Sequence, residues 1–401
     1  MRKFGPGLLV TAAFIGPGTI TTASIAGANF GLALFWALLF SVVTTMILQE
    51  MAARLGIVAR MGLAEALRAS LQNPWIKWST LLLIILAIGF GNAAYQTGNL
   101  LGAAIGAEII TGLPAPALAA AIAIVASLLL ASGIYRLVEG VLVLLVGLMS
   151  LVFIATLLIQ PPDPLLVLQQ LFPPKIPDGA TLAVIALIGT TVVPYNLFLH
   201  ANAVQKKWPA NMDKAQALSE ARLDLGVAIS LGGLITLAIM ATAASALFGL
   251  GNSGAVNAAS IAGQLAPVLG DGAKYFVASG LLAAGLTSAI TAPLAASFAV
   301  CGALGWPLDM QDRRFKAIWL TVMVFGAGFA AVQTQPLAAI LIAQAANGML
   351  LPVIAIALLW VMNQKAILGA YSNTRLSNSL GALVILVTLG LGAHRLASLL
   401  P

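Results

Sequence analysis

Two stretches decide how this chain folds: Phe14-Ile15-Gly16-Pro17-Gly18-Thr19 and Thr190-Thr191-Val192-Val193-Pro194-Tyr195-Asn196. Each lies at mid-depth of a long apolar segment and each contains a proline. Proline removes an N–H donor and clashes with the preceding turn, and flanking glycines loosen the helix further. Both segments therefore read as helices that break in the middle. A simple kink is the alternative at either place alone. The pair is more informative, because each break falls in the first span of one half of the chain.

The sequence around the breaks is that of a membrane protein. Of 401 residues, 61% are hydrophobic and 8% are charged, against roughly 25% charged in an ordinary soluble domain. The mean hydropathy is +1.03. So few charges cannot shield so much apolar side chain in water. A cytosolic enzyme, a disordered chain and a secreted disulfide scaffold are excluded, and an all-α polytopic membrane protein remains. The one cysteine, Cys301, rules out an intramolecular disulfide and a cysteine-based metal site.

A spanning helix needs about 20 mostly apolar residues. About eleven segments qualify, near 5–31, 32–53, 78–106, 114–133, 137–160, 179–205, 221–249, 273–304, 315–333, 335–362 and 377–400. With the N-terminus in the cytoplasm, the inner side receives Arg2, Lys3, Arg54, Arg60, Arg68, Lys77, Arg136, Lys206, Lys207, Lys214, Arg222, Arg313, Arg314, Lys316, Lys365 and Arg375. The outer side receives Lys175, Lys274 and Arg395. Such a bias predicts N-in, C-out topology. It also explains the net charge of +7 without a nucleic-acid partner, since no basic run is interleaved with exposed aromatics. Residues 161–178 read as a proline-rich outer connection between the halves, and 250–272 as an outer loop with room for a short surface helix.

Five spans separate the two breaks, so the broken helices run in opposite directions. That is the pattern of a 5+5 inverted repeat with a site at the membrane midplane. The expected layout is a first repeat over 1–160, a second over 179–363 and an extra helix over 376–401, all in one membrane domain. Freed backbone groups at the breaks must face a cavity, a ligand or protein, because lipid cannot satisfy them.

At these residues the chain resembles the Nramp transporters of divalent metals, which have the LeuT fold. The stretch from Gly5-Pro6-Gly7 to Ala26-Gly27-Ala28 is similar to the Nramp first helix. Leu48-Gln49-Glu50-Met51-Ala52-Ala53-Arg54-Leu55-Gly56 resembles the end of the second. Pro194 with Asn196-Leu197-Phe198-Leu199-His200 resembles the sixth, Gly280-Leu281-Leu282-Ala283-Ala284-Gly285 the eighth, and Gln344 with Leu351-Pro352 the tenth. The family's site motifs depart from this pattern. Its Asp-Pro-Gly-Asn is here Gly16-Pro17-Gly18-Thr19, and its Met-Pro-His is Val193-Pro194-Tyr195. Its proton-passing Asp and Glu on the third helix align with Gln96 and Asn99, and His200 alone remains of that route.

The expected substrate site is therefore Gly16, Pro17, Gly18, Thr19, Tyr195, Asn196, Gln344 and Asn347. Loss of the carboxylate leaves hydrogen-bond donors beside the positive end of the second half-helix. The expectation drawn from this is uptake of a small anion, bicarbonate first. A divalent cation (Mn²⁺ or Mg²⁺), as in the wider family, is the alternative, carried by neutral oxygens and retained water. A transport-inactive membrane sensor or partner-binding protein is the remaining one. No nucleophile–base pair is visible, so no enzymatic activity and no cofactor are expected.

With the proton-relay acids gone, Na⁺ is the expected coupling ion. Ala284-Gly285-Leu286-Thr287-Ser288 resembles the eighth helix of sodium-coupled LeuT-type transporters. Thr287 and Ser288 would join carbonyls near Ala13 and Gly16. The competing reading is that such hydroxyls bond back to their own helix. Tyr95, Gln96 and Asn99 share a helix face and with His200 are expected to line a pathway. Buried interhelical hydrogen bonds are the other reading. Glu50 and Arg54 are spaced as a structural ion pair or gate element. The expected protein is a monomer in the cytoplasmic membrane of a prokaryote, with an inorganic ion or small molecule as cargo.

Overall fold

The computed structural model describes residues 5–132, 135–249, 258–333 and 335–397. Arg2 and Lys3, and residues 250–257 of the expected outer loop, lie outside the described residues. Eighteen α-helices and two short 3-10 turns make up the described chain.

The first broken helix consists of α1 (Pro6–Phe14) and α2 (Pro17–Phe30). Helix α3 is Phe35–Val58, and α4 is Leu63–Ser70. Helices α5 (Pro74–Thr111), α6 (Ala115–Ser132) and α7 (Tyr135–Ile159) follow, then the short α8 (Pro164–Leu171). The second broken helix is α9 (Thr181–Thr191) and α10 (Pro194–Lys207), followed by α11 (Lys214–Leu247). Two short helices, α12 (Ala258–Gly263) and α13 (Ala266–Leu269), lead into α14 (Ala273–Leu304). The chain closes with α15 (Arg313–Ala331), α16 (Pro336–Met362), α17 (Lys365–Leu368) and α18 (Arg375–Ala397).

Both expected breaks are present, and they use one backbone grammar. Helix α1 ends at Ile15 with φ −77° and ψ 65°, and α9 ends at Val192 with φ −95° and ψ 68°. Each is followed by an extended residue, Gly16 or Val193, and then by a proline that starts the next helix. Proline drives its predecessor out of the helical region and suits the first helical position, where no N–H is needed. The sequence thus ends one half-helix and begins the next within three residues.

Among the described residues, nine helices are long and apolar enough to cross a membrane, with α9 and α10 counted together. The other two expected spans are α1–α2, cut short by its break, and the 25-residue α7. Two helices lie where the sequence reading had only connections. Helix α4 forms in the 54–77 segment, and Glu65 Oε2 accepts the Gly62 N–H at 2.7 Å to fix its start. Helix α8 forms inside the proline-rich connection, capped by Asp163 Oδ1 at 2.9 Å from the Leu165 N–H. It turns 110° from α7 and buries none of its residues, as suits a helix lying along a surface.

Small residues set how closely the helices approach. At the crossing of α9 and α16, a Cβ on Gly189 would collide with the Gln344 carbonyl, and one on Gly348 with the Ile185 carbonyl. Only glycine at both positions lets the two backbones touch. This contact holds α16 against the second break and brings Gln344 and Asn347 to it.

Candidate functional site

The site forms where four elements meet at mid-depth: the start of α2, the start of α10, and the middles of α5 and α16. Thr19, Tyr195, Asn196, Gln344, Asn347, Tyr95 and Asn99 are each at most 2% exposed. Gly16, Pro17 and Gly18 are buried with them. The expected substrate residues are therefore all buried.

Glycine at position 18 makes the contact with α16 possible. A Cβ there would occupy the position of the Gln344 carboxamide, which lies directly over the α2 N-terminus. The same Nε2 would be 3.7 Å from a Cβ on Gly98 of α5. Asn347 Oδ1, one turn along α16, would be 3.6 Å from a Cβ on Gly91. The rings of Tyr95 and Tyr195 meet edge to face with centroids 5.3 Å apart, joining α5 to α10.

Polar atoms in this cluster are buried without protein partners: Asn99 Oδ1, Asn196 Oδ1, Asn347 Nδ2 and both amide atoms of Gln344. A buried polar atom left unpaired costs about 1–3 kcal/mol. Their grouping in a membrane-spanning core makes this place the candidate ligand site. All of these groups are neutral amides. No cluster of three or more His, Cys, Asp or Glu residues exists among the described residues.

Other sequence-predicted residues have different surroundings. The Thr19 hydroxyl bonds to the Phe14 carbonyl and lies 2.8 Å from Thr190 Oγ1, so it clasps the break. Thr190 was within the quoted stretch but carried no expectation, because a β-branched hydroxyl residue in a helix gives no functional signal. Gln96 Nε2 donates to the Ala289 carbonyl at 2.9 Å and lies 3.1 Å from Met323 Sδ, tying α5 to α14 and α15. Asn99 Nδ2 reaches Gln96 Oε1 at 3.4 Å and leaves its own oxygen free. His200 Nδ1 is 2.9 Å from Gln49 Oε1 of α3.

The pair on α14 divides. Thr287 Oγ1 donates to the Ala283 carbonyl at 2.9 Å, the back-bonded arrangement. Ser288 Oγ is buried without a partner and would be 2.8 Å from a Cβ on Gly16. Glu50 and Arg54 pair at 3.1 Å, as their spacing implies, and Arg222 adds a second cation to Glu50 at 2.8 Å.

A broken helix presents two ends to its site. The N–H groups of α2 and α10 are partly positive, while the last carbonyls of α1 and α9 are partly negative. Thus dipole geometry alone does not select an anion.

Comparison with known proteins bears on the cargo. The chain is 30% identical over 374 residues to a protein of Verminephrobacter eiseniae named divalent metal cation transporter MntH. That match covers 92% of this chain and 83% of the relative. A Yersinia pestis protein of the same name is 29% identical over all of this chain and 96% of its own length. Among solved structures, the manganese transporter of Eremococcus coleocola superposes with a TM-score of 0.77 at 22% identity, over 98% of this chain and 86% of that one. MhsT, solved with L-phenylalanine, gives a TM-score of 0.65 at 16% identity, over 98% and 99%. These structural likenesses show the LeuT fold.

The relatives' names overturn the expectation of bicarbonate or another small anion. The physical error lay in weighing the N-terminal end of α2 without the carbonyl end of α1 beside it. A family model described as natural resistance-associated macrophage protein-like matches residues 7–398, and the chain belongs to this Nramp family of multi-pass membrane transporters.

Proposed function

We propose that this protein is a secondary transporter that moves a divalent metal cation across the cytoplasmic membrane. The carrying observation is the group of unpaired amide oxygens buried beside the broken helices: Asn99 Oδ1, Asn196 Oδ1 and Gln344 Oε1. These are hard oxygen donors, which suit Mg²⁺ and Mn²⁺ rather than softer metals. Relatives over nearly the whole chain are named for divalent cations.

With no carboxylate in the donor set, the ion keeps part of its water shell. Amide oxygens then accept from the bound waters as well as touching the ion. Mg²⁺ dehydrates reluctantly and ordinarily keeps several waters in protein sites. Partial negative charge comes from the carbonyl ends of α1 and α9. Alternating access would proceed by movement of the repeats 1–160 and 179–363 about the site, with 376–401 as an extra helix. The distribution of Lys and Arg supports a cytoplasmic N-terminus.

Sodium coupling belongs to the same proposal. It is supported by the unpaired Ser288 Oγ next to the backbone at Gly16, where the carbonyls ending α1 supply further oxygens. The back-bonded Thr287 hydroxyl retains lone pairs for such an ion.

The test is flux of Mg²⁺ and Mn²⁺ into proteoliposomes containing the purified protein, with and without a Na⁺ gradient. Saturable divalent flux whose half-saturating concentration rises in Gln344→Leu supports the reading. Absence of flux for both ions overturns it. Equal flux with and without sodium removes the coupling step alone.

A further inference from the structure

At the end of the molecule rich in Arg and Lys, one carboxylate meets the ends of both α1 and α10. Asp224 of α11 accepts the Gly7 N–H through Oδ2 at 2.8 Å. Its other oxygen, Oδ1, is 3.7 Å from Lys207 Nζ, on the last residue of α10.

The sequence of α1 is built for this contact. Its cap residue, Gly5, has no side chain to cap with, and Pro6 has no N–H. Gly7 therefore carries the first free donor of the helix, and α11 supplies the acceptor that a local Ser or Asp would normally supply. A Cβ at Gly5 would collide with the Asp224 carboxylate, and one at Gly7 would be 2.7 Å from the Asp224 carbonyl. The carboxylate also sits at the positive end of α1, which strengthens the bond.

The surroundings distinguish frame from moving part. Arg222, two residues before Asp224, pairs with Glu50 of α3 at 2.8 Å. Arg54, also on α3, donates to the Tyr371 carbonyl at 2.9 Å and to Asn373 Oδ1 at 2.8 Å. These bonds make α3, α11 and the α17–α18 connection one unit. Helix α10 belongs with that unit: its His200 Nδ1 is 2.9 Å from Gln49 Oε1 of α3, and Arg60, just past α3, donates to the Gln205 and Trp208 carbonyls at 2.6 Å each. Helix α1 instead joins α2 through the break at Ile15–Gly16, where backbone hydrogen bonding is interrupted. Such positions serve as hinges.

We infer that Asp224 is a positioning residue that latches α1 to α11, with Lys207 of α10 holding its carboxylate in place, and so keeps the basic end of the transporter closed. Movement of α1 away from α11 at that end requires loss of the Gly7–Asp224 hydrogen bond, which the Lys207–Asp224 pair supports. The latch concerns conformation only and does not depend on the identity of the transported ion.

The experiment places a single reporter cysteine in a Cys301→Ser background. Thr11→Cys lies on α1, where the parent residue is buried. A second reporter, Asn29→Cys, lines a cavity of about 610 Å³ at the opposite end. Reactivity with an impermeant maleimide is measured at each, in vesicles of the appropriate orientation. Asp224→Ala is expected to raise Thr11→Cys labelling about fivefold, the population shift that follows from losing a hydrogen bond and a partly exposed ion pair. Lys207→Gln and Asp224→Asn, which keep an acceptor for Gly7, are expected to give smaller rises. Labelling of Asn29→Cys should fall or hold. Unchanged Thr11→Cys labelling in Asp224→Ala overturns the proposal, as does a rise at both reporters, which would mean general loosening. If Asp224→Ala does not fold, the two milder variants decide the matter, and parent rates in both overturn it.

Discussion

Thr19 Oγ1 and Thr190 Oγ1 lie 2.8 Å apart, and the bond between them has a direction. Thr19 gives its one proton to the Phe14 carbonyl, so Thr190 must be the donor to Thr19. The resulting chain runs from α9 through α2 to the end of α1. It satisfies a carbonyl that the first break leaves without an intrahelical partner, and it ties the two broken helices together beside the site. Thr19 thus acts on the shape of the break.

Replacing either hydroxyl by a methyl isostere tests that role. Thr19→Val leaves the Phe14 carbonyl unpaired, and Thr190→Val leaves Thr19 without its donor. Each is expected to cost about 1–3 kcal/mol, visible as a lower melting temperature in detergent. The maximal rate of divalent flux should fall while the half-saturating concentration changes little. In the double variant the losses should be less than additive, since the two groups share one bond. A large rise in half-saturating concentration in Thr19→Val alone would instead make Thr19 a ligand.

Gln344 should behave in the opposite way. Both of its amide atoms are buried and unpaired, so removing them relieves a cost. Gln344→Leu, close in volume, is expected to leave the melting temperature unchanged or raise it. Divalent binding should weaken by on the order of tenfold, the equivalent of about 1.4 kcal/mol. Calorimetric titration of Mg²⁺ and Mn²⁺ against the purified variant is the measurement.

The crossing of α9 and α16 has no room to spare. In Gly348→Val the new Cβ collides with the Ile185 carbonyl, a backbone atom that cannot rotate away. Overpacking of this kind costs about 1–3 kcal/mol or more. Recovery of monodisperse protein on size exclusion should drop sharply, and Gly189→Val should do the same through the Gln344 carbonyl. Gly226, whose Cβ would meet nothing within 4 Å, is the control, and Gly226→Ala should be silent.

Much of the architecture was legible because membrane helices are written in length and hydropathy, and because proline punctuates them. The residues Pro17 and Pro194 alone located both breaks. Helices α4 and α8 were missed for a physical reason: at eight residues each, they fall below the length at which an apolar pattern signals a span. The site residues were named from the breaks and the resemblance; Gly18 packs on Gln344 and Tyr195 on Tyr95, while Thr19 turns back to the break. The sign of the cargo's charge was read wrongly, since sequence gave the neutral side chains but not the opposed backbone dipoles of α1 and α2. The clasp by Thr190 and the latch at Asp224 depend on contacts between residues 171 and 217 positions apart, which no local pattern announces.

The last prediction restores a charge to the break. Gly16 is the cap of α2 and has φ −105° and ψ −178°, an extended conformation open to any residue. Aspartate is among the favoured residues at such a cap, since its carboxylate accepts N–H groups of the first turn. The new Cβ would be 2.8 Å from Ser288 Oγ, the tip of a side chain that can turn to another rotamer. Gly16→Asp should therefore fold. Its carboxylate would stand in a low-dielectric site that otherwise presents neutral groups, where a single charge acts strongly on a divalent ion. Affinity for Mn²⁺ is expected to rise by on the order of tenfold or more, and selectivity should shift from Mg²⁺ toward Mn²⁺ as direct coordination replaces contact through water. Competition of the two ions in a binding assay reads both effects. A folded Gly16→Asp variant with parent affinity for both ions would show that the cation does not pass beside this break.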